Sequence, residues 1–279
     1  MRRLWESMNK KWLAGPYLVW MVGFIVIPLI LIVYYGLTDK SGAFTLANVL
    51  SISTPEHVKA LWLSLGLSLV STVICLVLAY PLAMILRNRG IGQGSFIVFI
   101  FILPMWMNFL LRTLAWQTLL EKSGVINGIL SALHLPNQNL INTPGAIVLG
   151  MVYNFLPFMV LPIFNSLSKM DSDLINAARD LGANSFQVFT KVIFPLSLPG
   201  VVSGITMVFM PAVTTFAISR LLGGGKFMLI GDLIEQQFTV VGDWNFGSAV
   251  SIFMMIIILI SMAVMSRFED ESDKEGGGL

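Results

Sequence analysis

Six apolar stretches of membrane-spanning length, at about residues 17–37, 61–86, 96–119, 146–167, 199–222 and 246–266, constrain this chain more than any other feature. A helix needs about 20 apolar residues to cross the hydrocarbon core, and only helices and closed barrels satisfy the backbone there. The stretches are continuous and not alternating, so the sequence predicts an all-α polytopic membrane protein. Charged residues are 11% of the 279 and mean hydropathy is +0.82, which fits a chain whose solvent is lipid.

An even number of spans puts both termini on one side. Arg2, Arg3, Lys10 and Lys11 precede the first span, Arg87 and Arg89 follow the second, and Lys169, Arg179 and Lys191 follow the fourth. The positive-inside bias places all of them, and both termini, in the cytoplasm. The first span is longer than the core of a signal peptide and no small-residue cleavage site follows it, so it is expected to be retained. Residues 1–16 then form a cytoplasmic N-terminal segment, 17–266 the transmembrane domain, and 267–279 an acidic cytoplasmic tail with too little apolar area to order itself.

Several chemistries find no support. Net charge is +2 and the basic residues sit at membrane edges, so no nucleic-acid partner is indicated. The lone cysteine, Cys75, lies in an apolar run and allows neither a disulfide framework nor a cysteine metal site. His57 and His134 fall in predicted outer loops without companion ligands. The run Gly223-Gly224-Gly225-Lys226-Phe227 lacks phosphate-loop spacing. No catalytic residue, metal site or cofactor is therefore assigned to this chain, and neither the polar cluster of a membrane enzyme nor the intramembrane acid and inverted repeats of a secondary transporter stand out.

The polar connection at 168–198 is different in kind. Asp171, Ser172 and Asp173 can cap a short helix, Gly182 suits a left-handed turn, and Asn184 or Ser185 can cap the next helix. Ala177, Ala178, Leu181 and Gly182 recur at helical spacing and form a small-residue face that admits another backbone closely. Pro195 and Pro199 are expected to interrupt the second helix at re-entry into the membrane. About thirty amphipathic residues between two spans read as a docking surface for a soluble partner.

Asn176-Ala177-Ala178, with Gly182 and then Val192, Phe194 and Pro195 downstream, resembles the EAA loop of ABC-importer permeases, whose pattern is Glu-Ala-Ala, three residues, Gly, nine residues, Ile, one residue, Leu-Pro. The departures are Asn176 for Glu, Val192 for Ile and Phe194 for Leu. The resemblance implies a type I permease fold and a loop seated in a groove of a cytoplasmic ATPase, with Asn176, Ala177, Ala178, Asp180, Gly182, Val192 and Pro195 in the coupling contact. It also implies a second homologous permease, two ATPase subunits that hold ATP and Mg2+, and an extracytoplasmic binding protein. The setting would be the bacterial inner membrane.

A second resemblance concerns cargo. Pro104 to Arg112 with Trp116, Gly124 and Asn127, the run Asn154-Phe155-Leu156-Pro157, and Asp243-Trp244-Asn245-Phe246-Gly247 are similar to the B-type subunit of spermidine/putrescine permeases. A polyamine calls for spaced acidic acceptors and aromatic faces. Trp106, Asn108, Trp116, Glu121, Tyr153, Glu235 and Asp243 are the candidates for the substrate pathway. Asn108 and Arg112 stand at i, i+4 and are expected to share a helix face. A cation lining the route would repel a polyamine, so Arg112 is read as structural or gating.

Overall fold

The computed structural model describes residues 15–89 and 103–276, with only the backbone over 268–276. It is helical, and among the described residues the sole β pairing is an isolated bridge between Thr38 and Phe44. Five described helices are long and apolar enough to cross a membrane: Gly15–Gly36 (α1), Pro55–Asn88 (α2), Pro144–Lys169 (α5), Ser185–Thr214 (α7) and Trp244–Arg267, the apolar part of Trp244–Gly276 (α10). Phe109–Leu120 (α3), Val125–Ala132 (α4), Ser172–Asp180 (α6), Ala217–Gly223 (α8) and Ile230–Gln236 (α9) complete the set.

Two spans depart from the sequence expectation. The stretch at 96–119 lies partly outside the described residues, and its described part is no single helix. Helical structure at 103–106 stops at Met107, and α3 begins only after Asn108. The Asn108 side chain accepts hydrogen bonds from the Leu110 and Leu111 amides at 2.9 and 3.3 Å, so it caps a new helix and does not continue an old one. At 12 residues, α3 is about 18 Å long, well short of the hydrocarbon thickness. The stretch at 199–222 is likewise displaced. Its helix starts at Ser185, ends at Thr214, and is separated from α8 by the non-helical Thr215 and Phe216.

Proline accounts for two of the three π-turns among the described residues, the third being Gln237–Val241. A π-turn at Val22–Val26 precedes Pro28, and another at Phe189–Ile193 precedes Pro195. A proline cannot donate to the carbonyl four residues back and its ring crowds that oxygen; widening the preceding turn relieves both problems. Pro195 and Pro199 therefore do not break α7, contrary to the expected interruption. The acidic end also differs from expectation, because α10 runs on as helix to Gly276. Extending a formed helix fixes one residue per added bond, so residues rich in Glu, Asp and Lys follow it without an apolar face.

The chain forms two compact units, one comprising the chain up to Val58 with Ile234–Ile257, the other Lys59–Leu233 with the chain from Ile258 onward. In the first, the Asn245 side chain donates to the Tyr35 and Thr38 carbonyls at 3.0 and 2.7 Å and ties the end of α1 to the start of α10. Its Asp39 carboxylate accepts from the Ser41 hydroxyl and from the Ser41 and Ala43 amides, which holds the carboxyl below its usual range. In the second unit, α5 and α7 pack through fully buried Met159, Ile163 and Val208. Gly200 and Gly204 of α7 lie directly against the backbone of α5. Small residues at such a crossing let two helices approach closely in lipid.

Candidate functional site

The connection between α5 and α7 is built by local chemistry. Asp171 opens α6 by accepting the Asp173 amide at 2.9 Å. Gly182, at φ +83°, closes it: the Gly182 amide donates to the Arg179 carbonyl at 2.8 Å and the Ala183 amide to the Ala178 carbonyl at 3.1 Å. This paired closure requires a left-handed residue, which glycine supplies without strain. Asn184 and Gln187 then exchange reciprocal side-chain-to-amide bonds at 2.9 Å and start α7. A bent helix–turn–helix results.

Its two faces differ sharply. Ile175, Val188 and Ile193 are buried against the second unit's core. On the outer side Leu181 is 89% exposed, Phe186 73% and Leu174 46%. Ala177 and Asp180 are exposed with them, whereas Ala178 is half-buried and packs inward. The expected small-residue face is thus split, and its outer part carries large apolar side chains. Asn176 is exposed but lines a cavity of about 670 Å3 on the opposite side from Leu181, together with Arg87, Ser172, Arg179, Ser185 and others. Val192 is half-buried in the π-turn and Pro195 exposed in the turn that follows.

A joint at the base of the loop was not foreseen from sequence. Tyr80 of α2 hydrogen-bonds through its hydroxyl to the Ser197 hydroxyl at 2.7 Å. Its ring meets Phe189 edge-on, with centroids 5.7 Å apart, and lies 6.0 Å from the ring of Phe194. The Arg87 guanidinium also donates to the Met170 carbonyl at 3.4 Å. Packed rings and a buried hydroxyl pair therefore tie the base of the loop to α2. The only sequence signal was the cluster of aromatic residues Phe186, Phe189 and Phe194 in the connection.

The pathway candidates are only partly brought together. Trp116 and Tyr153 form an edge-on aromatic pair with centroids 5.4 Å apart. Trp106 is 76% exposed, Asn108 caps α3, and Glu121 is exposed at its end. In the other unit, Asp243 accepts the Phe246 amide at 3.0 Å and faces Lys40 at 3.9 Å. Glu235 accepts from the Thr239 hydroxyl at 3.1 Å. Asn108 and Arg112 do not share a helix face, because Asn108 is non-helical at ψ 126°. Arg112 is 7% exposed, and its Nε and Nη1 have no hydrogen-bond partner. Asn154 lies in the same layer and donates to the Gly150 carbonyl at 2.9 Å and to Thr113 at 3.5 Å. Its carbonyl oxygen is buried without a donor.

The chain thus joins long apolar helices through a bent loop, apolar at its tip and jointed at its base. Residues 76–271 match the family described as binding-protein-dependent transport system inner membrane component. The spermidine/putrescine transport system permease protein PotB of Haemophilus influenzae is 35% identical over 260 residues, covering 89% of this chain and 90% of that protein. PotB of Escherichia coli K12 is 36% identical over 256 residues, covering 89% and 93%. The crystal structure of a bacterial alginate ABC transporter contains a chain of the same fold, with TM-score 0.78, 18% identity, and coverage of 94% of this chain and 96% of that one. The chain belongs to the family of binding-protein-dependent transport system inner membrane components and is a multi-pass permease of the ABC-importer fold.

Proposed function

We propose that this chain is the permease subunit of an ATP-driven importer of polyamines, spermidine or putrescine, and forms half of the translocation pathway. The observation that carries the reading is the similarity to spermidine/putrescine permeases over nearly nine-tenths of the chain. The subunit pairs with a homologous second permease, and an extracytoplasmic polyamine-binding protein delivers cargo. Two cytoplasmic ATPase subunits bind ATP and Mg2+ and carry out hydrolysis.

With both termini cytoplasmic, loop 168–198 faces the ATPase. Leu181 and Phe186 enter a cleft of the motor, and Asn176, Ala177, Ala178, Asp180 and Gly182 set the shape of the surrounding contact. Burying two such side chains contributes roughly 1.5–3 kcal/mol each, enough to hold the loop through a stroke. The Tyr80–Ser197 joint, with Val192 and Pro195 beside it, passes the movement to α2 and α7. On the outer side Glu121, Glu235 and Asp243 attract the ammonium groups of the cargo, while Trp106, Trp116 and Tyr153 offer aromatic faces and Asn108 a polar one. Uptake of labelled spermidine and putrescine by cells lacking only this chain tests the reading. ATP-dependent uptake should vanish and return with the gene; uptake that persists, or a defect confined to another solute, would refute it.

A further inference from the structure

Among the described residues, the cavity behind the coupling loop is lined by two cationic side chains and no carboxylate. It is bounded by the end of α2, through Arg87 and Asn88, and by the inner face of α6, through Ser172, Asn176 and Arg179. No aspartate or glutamate among the described residues lines it. Asp171 and Asp173 flank Ser172 in sequence, but Asp171 is engaged in capping α6 and neither reaches the lining. Neither Arg87 nor Arg179 forms an ion pair among the described residues, and Arg87 satisfies only one donor, on the Met170 carbonyl. At position 176 the loop pattern carries a carboxylate. Here Asn176, a neutral side chain, lines the same cavity as Arg87 and Arg179.

Two guanidinium groups lining one cavity offer donors in the fork geometry that suits phosphate oxygens. The volume, about 670 Å3, is in the range of small-ligand sites. Under the proposed orientation the cavity also opens at the cytoplasmic leaflet, where acidic headgroups gather around basic side chains. We infer that the cavity binds a phosphate-bearing anion, an acidic phospholipid headgroup or free phosphate, which replaces the missing carboxylate and braces the coupling loop against α2. The regulatory part of this inference rests on the coupling role proposed above; the binding part does not.

The test uses the assembled transporter in phosphatidylcholine nanodiscs, with and without phosphatidylglycerol, and separately with inorganic phosphate. Native mass spectrometry and thermal shift read binding without nucleotide, and spermidine-stimulated ATP turnover reads coupling. Wild type should retain phosphatidylglycerol or shift with phosphate, and Arg87→Gln should weaken that binding about tenfold through loss of a charge-assisted contact. Asn176→Glu should remove the anion requirement by supplying the carboxylate. Response to the lipid alone or to phosphate alone identifies the source and supports the site. Absence of any response, or equal responses in wild type and Arg87→Gln, overturns it. Anion binding that leaves ATP turnover unchanged overturns the bracing role, while a photocrosslink from Phe186 to the ATPase reports separately on the coupling contact.

Discussion

Replacing Gly200 by alanine places a methyl carbon 2.6 Å from the Pro162 carbonyl oxygen, 2.6 Å from the Ser166 Cβ and 3.2 Å from the Ile163 Cα. Ordinary contact begins at about 3.4 Å, so α7 must draw away from α5 by up to roughly 0.8 Å. None of these neighbours is the free end of a flexible side chain, and the strain falls on two helix backbones. Overpacking of this kind costs about 1–3 kcal/mol, of which the better helix propensity of alanine returns about 0.5–1. Gly66→Ala in α2 is the matched control, because nothing lies within 4 Å of the added carbon. Thermal unfolding of the detergent-solubilised subunit should therefore show Gly200→Ala melting lower than wild type and Gly66→Ala at or slightly above it. Equal melting of the two variants would refute the close α5–α7 approach and, with it, the direct transfer of loop movement into the bundle.

Other substitutions separate the parts of the site. The added Cβ of Gly182→Val meets no neighbour within 4 Å but the residue must hold φ near +83°, at a cost of about 1–3 kcal/mol; ATP-driven uptake should fall while membrane insertion, followed by immunoblot, stays intact. Tyr80→Phe removes the hydroxyl pair with Ser197 and leaves the rings in place; it should destabilise by about 1 kcal/mol and lower transport per ATP hydrolysed in reconstituted vesicles. Arg112→Met exchanges a buried guanidinium with two unpartnered nitrogens for an apolar side chain, and should raise the unfolding temperature of the isolated subunit, by up to about 1–4 kcal/mol of stability. A lowered temperature would mean that the charge is compensated within the chain.

Hydropathy made most of the spans legible, since 61–86, 146–167 and 246–266 each fall within a described helix of spanning length and 17–37 overruns its helix by one residue. The interruptions were not legible, because a window that averages over about 20 residues is insensitive to one capping asparagine at 108 or to two non-helical residues at 215 and 216. The bend at Gly182 and the cap at Asn184 were readable because their hydrogen bonds close within a few residues. The joint between Tyr80 and Ser197 spans 117 residues of sequence, and no local pattern announces such a pair. The same limit applies to Asn176: spacing places it in the loop, but only the fold brings it to the cavity that Arg87 and Arg179 also line.

Site-specific photocrosslinking from Leu181 in the intact transporter tests the central claim most directly. That side chain is 89% exposed at the tip of the bent loop. A crosslink to the ATPase subunit, with a yield that changes between nucleotide-free and ATP-bound states, is the predicted result. A crosslink to no protein, or labelling of residue 181 by an impermeant reagent added outside the cell, would contradict the account.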